Sequence, residues 1–480
     1  KVEFIEYYDG IIEALNEQQR PYFLLFSAEW CHWCHEFGHF TLTDDAVAEY
    51  LNANYVNVFI DADIQSAAYL KYQATGLPYT VFLNPDASVH FRYAGTLYAD
   101  DFLTVIREIK QNVNQGLSVE SNESASFEYE PPLAFHDDAY DSLRDVFTEG
   151  ILDNFDSEQG GLGKGEKAIQ PHTYMYLLDR DDLDAAAASA PIADALEHAI
   201  DAIYDPVEGG FFRYAEPRDW KIPHYEKMAD LNAAMVLLLY RANQVSPDPV
   251  FVEAAELTLG HLSQLFDAEH GVFLSFQEAD THYYSIPTAT DRAKAKAPPI
   301  IRKVFIDRLA GTVRNMIDVL EHRTDEALDA QVKSSLEFVL AHLDNGNPLN
   351  RFYTLETGSW SGEGTLKDYV QVADMFMRAA QHYDNPSYYT TAERLVAHAV
   401  EHYLNAELGL LVDPQIGSSS DTEFLVDVNS QLALTALALD DSRQYQPLLD
   451  NILVYFSAID ELLEERFWDG VNWDFAERYV

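Results

Sequence analysis

The stretch FSAEWCHWCHEFGHF, residues 26–40, contains both cysteines of this 480-residue chain. Cys31 and Cys34 follow the short apolar run PYFLLFSA (21–28), which predicts a buried strand. A helix is expected to begin at the first cysteine and to run on towards DDAVAEYLNAN (44–54). Two cysteines at this spacing are typical of a redox pair or of part of a metal site, and inert packing is the third alternative.

The rest of the first 113 residues alternates between strand and helix patterns. YVNVFIDAD (55–63) predicts a strand, and QSAAYLKYQAT (65–75) predicts a helix. Residues 79–95 predict two strands around an Asn-Pro-Asp turn, and ADDFLTVIREIKQNV (99–113) predicts a closing helix capped by Asp. Strand, helix, strand, hairpin and helix in this order indicate a compact α/β domain over residues 1–113.

The composition changes after this domain. Residues 114–133, NQGLSVESNESASFEYEPPL, are polar and end in Pro-Pro, which indicates a linker. Residues 134–480 have mostly helical patterns, interrupted by a recurring short loop. Its copies are FDSEQGGL, YDPVEGGF, FDAEHGVF, LDNGNPLN, LNAELGLL and FWDGVNWD, which begin at Phe155, Tyr204, Phe266, Leu343, Leu404 and Phe467.

The spacing of these loops indicates the architecture of the second domain. The six loops are 49, 62, 77, 61 and 63 residues apart, which leaves room for two helices between neighbours. Six helical hairpins that close into a ring bury both helix layers in an all-α (α/α)6 toroid, a six-hairpin glycosidase-like fold. An open helical solenoid is the alternative. The fold class is therefore multidomain, with an α/β domain followed by this toroid.

The charge of the chain excludes some partners. It has 80 Asp and Glu residues against 31 Lys and Arg, a net charge of −49. Such a surface repels nucleic acid and anionic membranes. Concentrated salt would screen the self-repulsion, so the composition favours a halophilic organism over an ordinary acidic protein. No stretch reaches the roughly 18 apolar residues that a membrane span needs.

The expected location follows from the same features. A halophile cytosol is favoured, and export stays an alternative because the sequence begins at Lys1. Two cysteines are too few for the disulfide framework of a small secreted protein. This favours a catalytic or metal role for the pair.

The residues around the cysteines suggest how a redox pair would work. A thiolate at Cys31 would be stabilised by the amide groups and the dipole at the start of a helix. An imidazolium at His32 would stabilise it further and make the pair more oxidising. The weaker metal alternative uses Cys31, Cys34, His35 and His39, whose ligand types zinc accepts. We otherwise predict no metal and no cofactor.

FSAEWC, the Cys-X-X-Cys helix and GLPYTVFLNPD (76–86) together resemble the thioredoxin fold. The resemblance implies that Pro78 lies in a cis-proline loop facing the cysteines, and that Trp30, His32, Trp33 and His35 surround the redox site. Thioredoxins carry a buried acid six residues before the first cysteine, where this chain has Leu25. Proton transfer would then need another group, of which His35 is the nearest candidate.

CHWCH followed by DDAVAEYLNANYVNVFID is similar to the thioredoxin-domain family that includes bacterial YyaL and the spermatogenesis-associated thioredoxin-like proteins. That family joins a thioredoxin-like domain to an (α/α)6 toroid. The block GGFFRYAEPRDWKIPHYEKMADLNAAM (209–235) and a later one that starts at Leu366 match it. The matching positions are Arg213, Tyr214, Trp220, Pro223, His224, Glu226, Lys227, Met228, Asn232, Asp368 and Tyr369. All of them except Tyr214, Pro223 and Met228 are candidates for the toroid mouth. A structural role is the alternative, in which His224 and Glu226 cap or bridge helices and Lys227 pairs with an acid.

The leading functional hypothesis is a thiol–disulfide oxidoreductase in which Cys31 attacks and Cys34 resolves, with the toroid binding a thiol- or disulfide-bearing protein or small molecule. The alternative is a carbohydrate-active or carbohydrate-binding toroid, a glycosidase or epimerase, with a structural thioredoxin-like domain. Glu226, Asp230 and Asp368 are then the candidate carboxylates. The aromatic residues that would stack on a sugar, or simply belong to the core, are Trp220, Tyr225, Tyr353 and Trp360. An interaction scaffold is the third hypothesis.

Overall fold

The structure is a computed structural model that describes residues 1–8, 10–15, 20–72, 74, 76–117, 148–180, 185–344, 346–406, 408–413, 422–439 and 442–458. The chain divides into two compact units. Described residues up to 117 belong to the first unit, and those from 148 onwards belong to the second. The predicted linker lies mostly outside the described residues, so its bounds stay predictions.

The first unit is built on a five-stranded sheet with the strand order β1-β3-β2-β4-β5. The first three strands of that order are parallel, and β4 and β5 are antiparallel to their neighbours. The strands are β1 (Ile5–Glu6), β2 (Tyr22–Ser27), β3 (Val56–Asp61), β4 (Tyr79–Leu83) and β5 (Val89–Ala94). The central position of β2 explains its unbroken apolar run, because a strand covered on both faces has no polar side.

The two faces of β2 belong to two separate hydrophobic clusters. Tyr22, Leu24 and Phe26 point into one cluster, and Phe23 and Leu25 point into the other. This alternation follows from the two-residue period of a strand. The helices that accompany the sheet are α1 (Ile11–Leu15), α2 (His32–Glu36), α3 (Asp45–Asn54), α4 (Ser66–Lys71) and α5 (Ala99–Asn114). This unit has the predicted thioredoxin-like α/β fold.

Two details of the predicted helices are wrong. The helix after the cysteines does not continue into residues 44–54: α2 passes into a π-helical turn, Phe37–Thr41, and α3 begins anew. The break occurs because the side chain of Asp44 accepts a hydrogen bond from the backbone N–H of Val47 at 3.1 Å and caps α3. Helix α5 has Tyr98 at its N-cap, and Asp100 and Asp101 lie within its first turn.

The second unit consists of helix pairs in two layers. The first members of the pairs pack side by side in the order α6, α8, α12, α14 and α16, and each packs against the second member that follows it. The long helices are α6 (Pro171–Asp179), α7 (Ala185–Ala202), α8 (Ala229–Val245), α9 (Pro249–Gln264), α12 (Ile306–His322), α13 (Glu326–Asp344), α14 (Leu366–Tyr383), α15 (Pro386–Tyr403), α16 (Thr422–Leu437) and α17 (Gln446–Ala458). The first members form the inner layer of the predicted toroid.

Short strands and two short helices connect the pairs. The helices are α10 (Thr281–Tyr284) and α11 (Ala289–Arg292). The strands are β6 (Tyr214–Ala215), β7 (Pro223–His224), β8 (Lys227–Met228), β9 (Phe266–Asp267), β10 (Val272–Phe273), β11 (Phe276–Gln277), β12 (Lys303–Phe305), β13 (Asn350–Thr354), β14 (Ser359–Glu363), β15 (Leu404–Asn405) and β16 (Leu410–Leu411).

Four of the six predicted loops are confirmed as tight antiparallel turns. Residue pairs Phe155–Leu162 and Tyr204–Phe211 form isolated bridges, β9 pairs with β10, and β15 pairs with β16. The loop predicted from Leu343 is wrong, because that residue still lies in α13 and the turn is formed later, by β13 and β14. The loop from Phe467 lies outside the described residues. Among the described residues, no helix has the length and apolar character needed to cross a bilayer.

Candidate functional site

The two cysteines lie at the point where the central strand of the first unit gives way to a helix. Cys31 is the N-cap of α2, and its sulfur accepts a hydrogen bond from the backbone N–H of Cys34 at 3.2 Å. The two residues form a disulfide with their Cα atoms 5.3 Å apart. Cys31 is 3% exposed and Cys34 is 8% exposed. A hydrogen bond from a backbone N–H at the start of a helix favours the thiolate form of the sulfur that accepts it.

Trp30, directly before the first cysteine, is held by the loop after β3. Its indole N–H donates a hydrogen bond to Oδ2 of Asp63 at 2.9 Å. That loop is in turn fixed by Asp61, whose Oδ1 accepts the backbone N–H groups of Asp63 and Ile64 at 3.0 and 3.1 Å. Asp61 is also the register partner of Ser27 at the end of β2. Two parallel strands thus bring the cysteine turn and an acidic loop to the same sheet edge.

The residues between and after the cysteines differ in exposure. The ring of His32 is half-buried and meets Trp33 edge-on at 5.4 Å. Trp33 is 40% exposed, so an aromatic surface lies beside the disulfide. His35 is exposed, and its Nε2 lies 2.7 Å from the backbone carbonyl of Glu29, so Nε2 must carry a proton and donate. The imidazole keeps only Nδ1 as a base.

The residues of the zinc alternative make other contacts. Cys31 and Cys34 are joined to each other, and the exposed ring of His39 packs against Phe40 at 4.9 Å. In the part of the chain that the structure describes, no group of three or more His, Cys, Asp or Glu side chains is arranged to hold a metal ion.

Two further residues of the predicted redox site have the expected local structure. The peptide bond between Leu77 and Pro78 is cis, and the carbonyl of the buried Pro78 accepts a hydrogen bond from the backbone N–H of Gly95 at 2.8 Å. Leu25, which stands where thioredoxins have an acid, is 5% exposed and packs in an apolar cluster.

In the second unit, Lys227 holds the loop that begins at Tyr204. Its ammonium donates to Oδ2 of Asp205 at 2.8 Å and to the carbonyl of Gly209 at 2.6 Å. Arg292 donates to the same carboxylate oxygen at 2.7 Å. Both partners of the Lys227–Asp205 ion pair are fully shielded from solvent. Lys227 therefore faces the protein interior and stabilises a turn.

Asn232 stabilises the same loop as Lys227. Its Oδ1 accepts the backbone N–H of Phe211 at 2.6 Å, and its Nδ2 donates to the carbonyls of Phe211 and Met228. Asn429 on α16 makes the same pair of bonds with the N–H and carbonyl of Leu411. An inner-helix asparagine thus fixes the strand after the turn at two places in the unit, which the sequence did not reveal.

Trp220 also stabilises a turn. It is 3% exposed, and its indole N–H donates to the carbonyl of Gln159 in the first loop at 2.7 Å. In the same loop Asp156 accepts from Lys167 at 2.9 Å and from Arg218 at 2.7 Å. The first two loops therefore share one device, an aspartate that binds two cations.

Arg213, His224 and Glu226 lie close together next to β6 and β7. The ring of His224 stacks on Tyr214 at 4.0 Å, and the guanidinium of Arg213 lies over the same tyrosine. Burial lowers the pKa of His224, against the opposing effect of Glu226 and Glu216. Glu226 is 3% exposed. The Oε2 atom of Glu226 is buried without a hydrogen-bond partner among the described residues.

Two of the carboxylates proposed for sugar chemistry belong to one group of charged side chains, because Arg308, which binds Asp230, also lies 4.0 Å from Asp307, a neighbour of Asp368. Asp230 binds Arg308 at 2.7 Å. Asp368 forms a capping box with Thr365 and accepts from Arg351 at 3.2 Å. Burial raises the pKa of Asp368 to about 6, and the charge of Asp307 contributes to this rise.

The remaining toroid candidates pack against other aromatic rings. Tyr369, next to Asp368, stacks on His398 at 4.3 Å. Tyr225 stacks on Tyr284 at 5.8 Å. Tyr353 and Trp360 meet at 5.3 Å, and Trp360 also stacks on His342. These contacts favour the interpretation of the aromatic candidates as core residues.

A cavity of about 290 Å³ lies between the inner helices, and the sequence predictions do not include it. It is lined mainly by charged residues, among them Arg314 and Asp318 of α12 and Asp374 and Arg378 of α14. None of the toroid-mouth candidates lines it; those on helices lie in the first turns, whereas the cavity begins near the midpoints of α8, α12 and α14. The sequence signal for this cavity is a pair of opposite charges four residues apart on each of two helices, Arg314 with Asp318 and Asp374 with Arg378. The helix face that carries each pair is otherwise apolar.

Comparison with known proteins agrees with both units. Residues 1–126 match the family model Thioredox_DsbH, described as a protein of unknown function, DUF255. Spermatogenesis-associated protein 20 of Rattus norvegicus is 26% identical over 302 residues, which are 56% of this chain and 38% of the rat protein. The chain thus spans well under half of the length of this relative.

Solved structures resemble the helical unit. A D-mannose isomerase superimposes with a TM-score of 0.52 at 12% identity, over 68% of this chain and 88% of that chain. The cellobiose 2-epimerase from Spirochaeta thermophila DSM 6192 gives 0.50 at 14% identity, over 68% and 86%. At these identities the similarity shows the fold alone. The (α/α)6 prediction and the family resemblance are confirmed, and the halophile prediction stays a prediction.

Proposed function

We propose that the Cys31–Cys34 pair is the redox centre of a thiol–disulfide oxidoreductase. The observation that carries the proposal is the position of the disulfide: it lies at the end of the central parallel strand, with Cys31 capping the helix that follows. The backbone amide that donates to the Cys31 sulfur favours the thiolate, which is the reactive form.

Thiol–disulfide exchange at this pair takes two steps, one for each sulfur. In the reducing direction, the Cys31 thiolate attacks a substrate disulfide and releases one substrate thiolate, which takes up a proton. The Cys34 thiolate then attacks the mixed disulfide at Cys31, so that the second substrate thiol leaves and the Cys31–Cys34 disulfide forms. Two electrons pass from the cysteine pair to the substrate. A substrate dithiol drives the same steps in reverse.

The surroundings of the pair support a protein or small-molecule partner. Trp33 presents an exposed aromatic surface beside the disulfide, and Trp30 is fixed by Asp63. Exposed aromatic residues are frequent anchors at binding sites. In this proposal the toroidal domain binds the thiol- or disulfide-bearing substrate or partner.

A titration of the reduced protein tests this proposal. The rate of alkylation by iodoacetamide should follow a thiolate whose pKa lies below the free value of about 8.5. Cys34→Ser isolates the signal of Cys31, and Cys31→Ser removes it. A pKa for Cys31 at or above the free value would exclude an activated nucleophile.

The second candidate function is carbohydrate binding or carbohydrate chemistry by the toroid. The observation in its favour is the polar cavity between the inner helices, in a fold shared with a D-mannose isomerase and a cellobiose 2-epimerase. D-mannose and cellobiose are therefore the first probes. Binding of neither sugar at millimolar concentration would argue against this function.

A further inference from the structure

The cavity in the helical unit is enclosed by helices that are far apart in sequence. Its lining comes from α6, α8, α12, α14 and α16, the inner helices within the described residues. A volume of about 290 Å³ is close to the lower end of the roughly 300–1,000 Å³ range of small-molecule pockets. The cavity therefore has room for a ligand no larger than a simple sugar.

Ion pairs between neighbouring inner helices make the wall of this cavity. Arg241 on α8 pairs with Asp179 on α6. Arg314 on α12 pairs with Asp374 on α14 at 3.4 Å, and Arg378 on α14 pairs with Asp318 on α12. These side chains are between 14% and 36% exposed, so they are held in place and remain within reach of a ligand.

The charges of the wall nearly cancel. Arg241, Arg314 and Arg378 face the carboxylates of the three aspartates and of Glu321, which leaves one negative charge in excess when the imidazoles of the wall are neutral. Burial and the charge of Arg241 lower the pKa of His322, so its imidazole is neutral at pH 7. The negative excess would repel a phosphate or carboxylate ligand, and the three guanidinium groups would repel a cation.

The remaining lining is mixed. Met175, Leu237, Met377 and Leu434 contribute a small apolar area, because each is only 3–6% exposed, and His172, Gln381 and Thr435 add polar groups. Carboxylates accept hydrogen bonds and guanidinium groups donate them. A wall with alternating acceptors and donors beside an apolar surface is complementary to a molecule that has hydroxyl groups on one side and C–H groups on the other.

We propose that this cavity is a binding site for a neutral polyhydroxylated ligand of about monosaccharide size, with Arg314 and Asp374 as hydrogen-bonding residues. The proposal rests on the second candidate function and assigns it to the cavity between the inner helices. Arg213, His224 and Glu226 near β6 and β7, which are candidates for the toroid mouth, do not belong to this site.

Isothermal titration of the full chain at molar salt with D-mannose, cellobiose and D-mannose 6-phosphate tests the proposal. D-mannose should bind, cellobiose should not bind because a disaccharide is too large for the cavity, and the phosphate ester should bind more weakly than D-mannose because the wall has one negative charge in excess. Asp374→Asn and Arg314→Gln should each weaken D-mannose binding at least tenfold. Two such variants are used, with thermal unfolding of each, so that a folding defect in one does not decide the result.

Two comparison variants locate the site. Asp329→Asn changes a carboxylate on the outer helix α13 that pairs with Lys333, and it should leave D-mannose binding unchanged. Glu226→Gln should also leave it unchanged. If Glu226→Gln abolishes binding and the cavity variants do not, the carbohydrate function stands and this inference is overturned. If none of the sugars binds the unchanged protein, both fail.

Discussion

The indole N–H of Trp30 donates a hydrogen bond to Oδ2 of Asp63 at 2.9 Å, which connects the residue before the first cysteine to the loop after β3. Asp63 is separated from Trp30 by 33 positions in the chain, and the parallel pairing of β2 with β3 brings them together. The pair fixes the backbone from which Cys31 projects. We therefore regard Asp63 as a positioning residue of the proposed redox site.

Replacement of Asp63 separates the effect of its charge from that of its hydrogen bond. Asp63→Ala removes both, and we expect a loss of about 1.5–3 kcal/mol in stability, the range for hydrogen bonds to charged groups. Asp63→Asn removes the charge and keeps an oxygen that accepts the indole N–H. The rate at which reduced Cys31 reacts with a disulfide reagent should fall at least severalfold in the alanine variant and change little in the asparagine variant. Equal rates in all three proteins would contradict a positioning role.

The buried pair of Lys227 and Asp205 predicts a large stability effect. Asp205→Ala leaves the charges of Lys227 and Arg292 without their shared partner, and breaking a buried ion pair costs about 3–5 kcal/mol. Asp219→Ala is the matched control, because the ion pair of Asp219 and Lys221 is exposed and should contribute little to stability. Denaturant unfolding at molar salt measures both. If both variants lose a similar, small part of the free energy of unfolding, the turn does not depend on the ion pair of Lys227 with Asp205.

The raised pKa of Asp368 predicts how stability depends on pH. The folded protein holds the Asp368 proton up to about pH 6, whereas the unfolded chain releases it near the ordinary value of 3.8. The stability of the unchanged protein relative to Asp368→Asn should therefore fall as the pH rises from 4 to 6, and should level off above pH 7. The neighbouring charged groups are Arg351 and Asp307. Denaturant midpoints of both proteins at each pH measure this, and a constant difference would contradict the assignment.

The sequence was sufficient for the fold and for the place of the cysteines. The apolar run of β2 and the Cys-X-X-Cys helix decide the first unit, because a doubly covered strand followed by a helix leaves few arrangements. The recurring Gly-containing loops decide the second unit. The turn of β13 and β14 was misplaced because no aspartate–glycine pattern marks it, and Asp44 begins a separate helix where one continuous helix is expected from the sequence.

The sequence leaves open whether the toroid candidates bind a ligand or stabilise the fold. Lys227, Asn232 and Trp220 look like ligand-binding residues in a motif, but each is directed at the backbone of a loop. Their partners lie up to 61 positions away, so only the packed helices reveal them. The cavity was missed for the same reason: the ion pair of Arg314 and Asp374 exists only when two inner helices meet.

The reduction potential of the Cys31–Cys34 pair tests the central claim most directly. The protein is equilibrated with glutathione buffers at molar salt, and the fraction of disulfide is measured by thiol trapping, with Cys31→Ser as the control. We predict a single two-electron transition within the range of thioredoxin-like oxidoreductases, roughly −270 to −120 mV, together with catalysis of insulin reduction that the serine variant lacks. A disulfide that stays intact below about −300 mV, with no insulin reduction, would identify a structural bond and contradict the account.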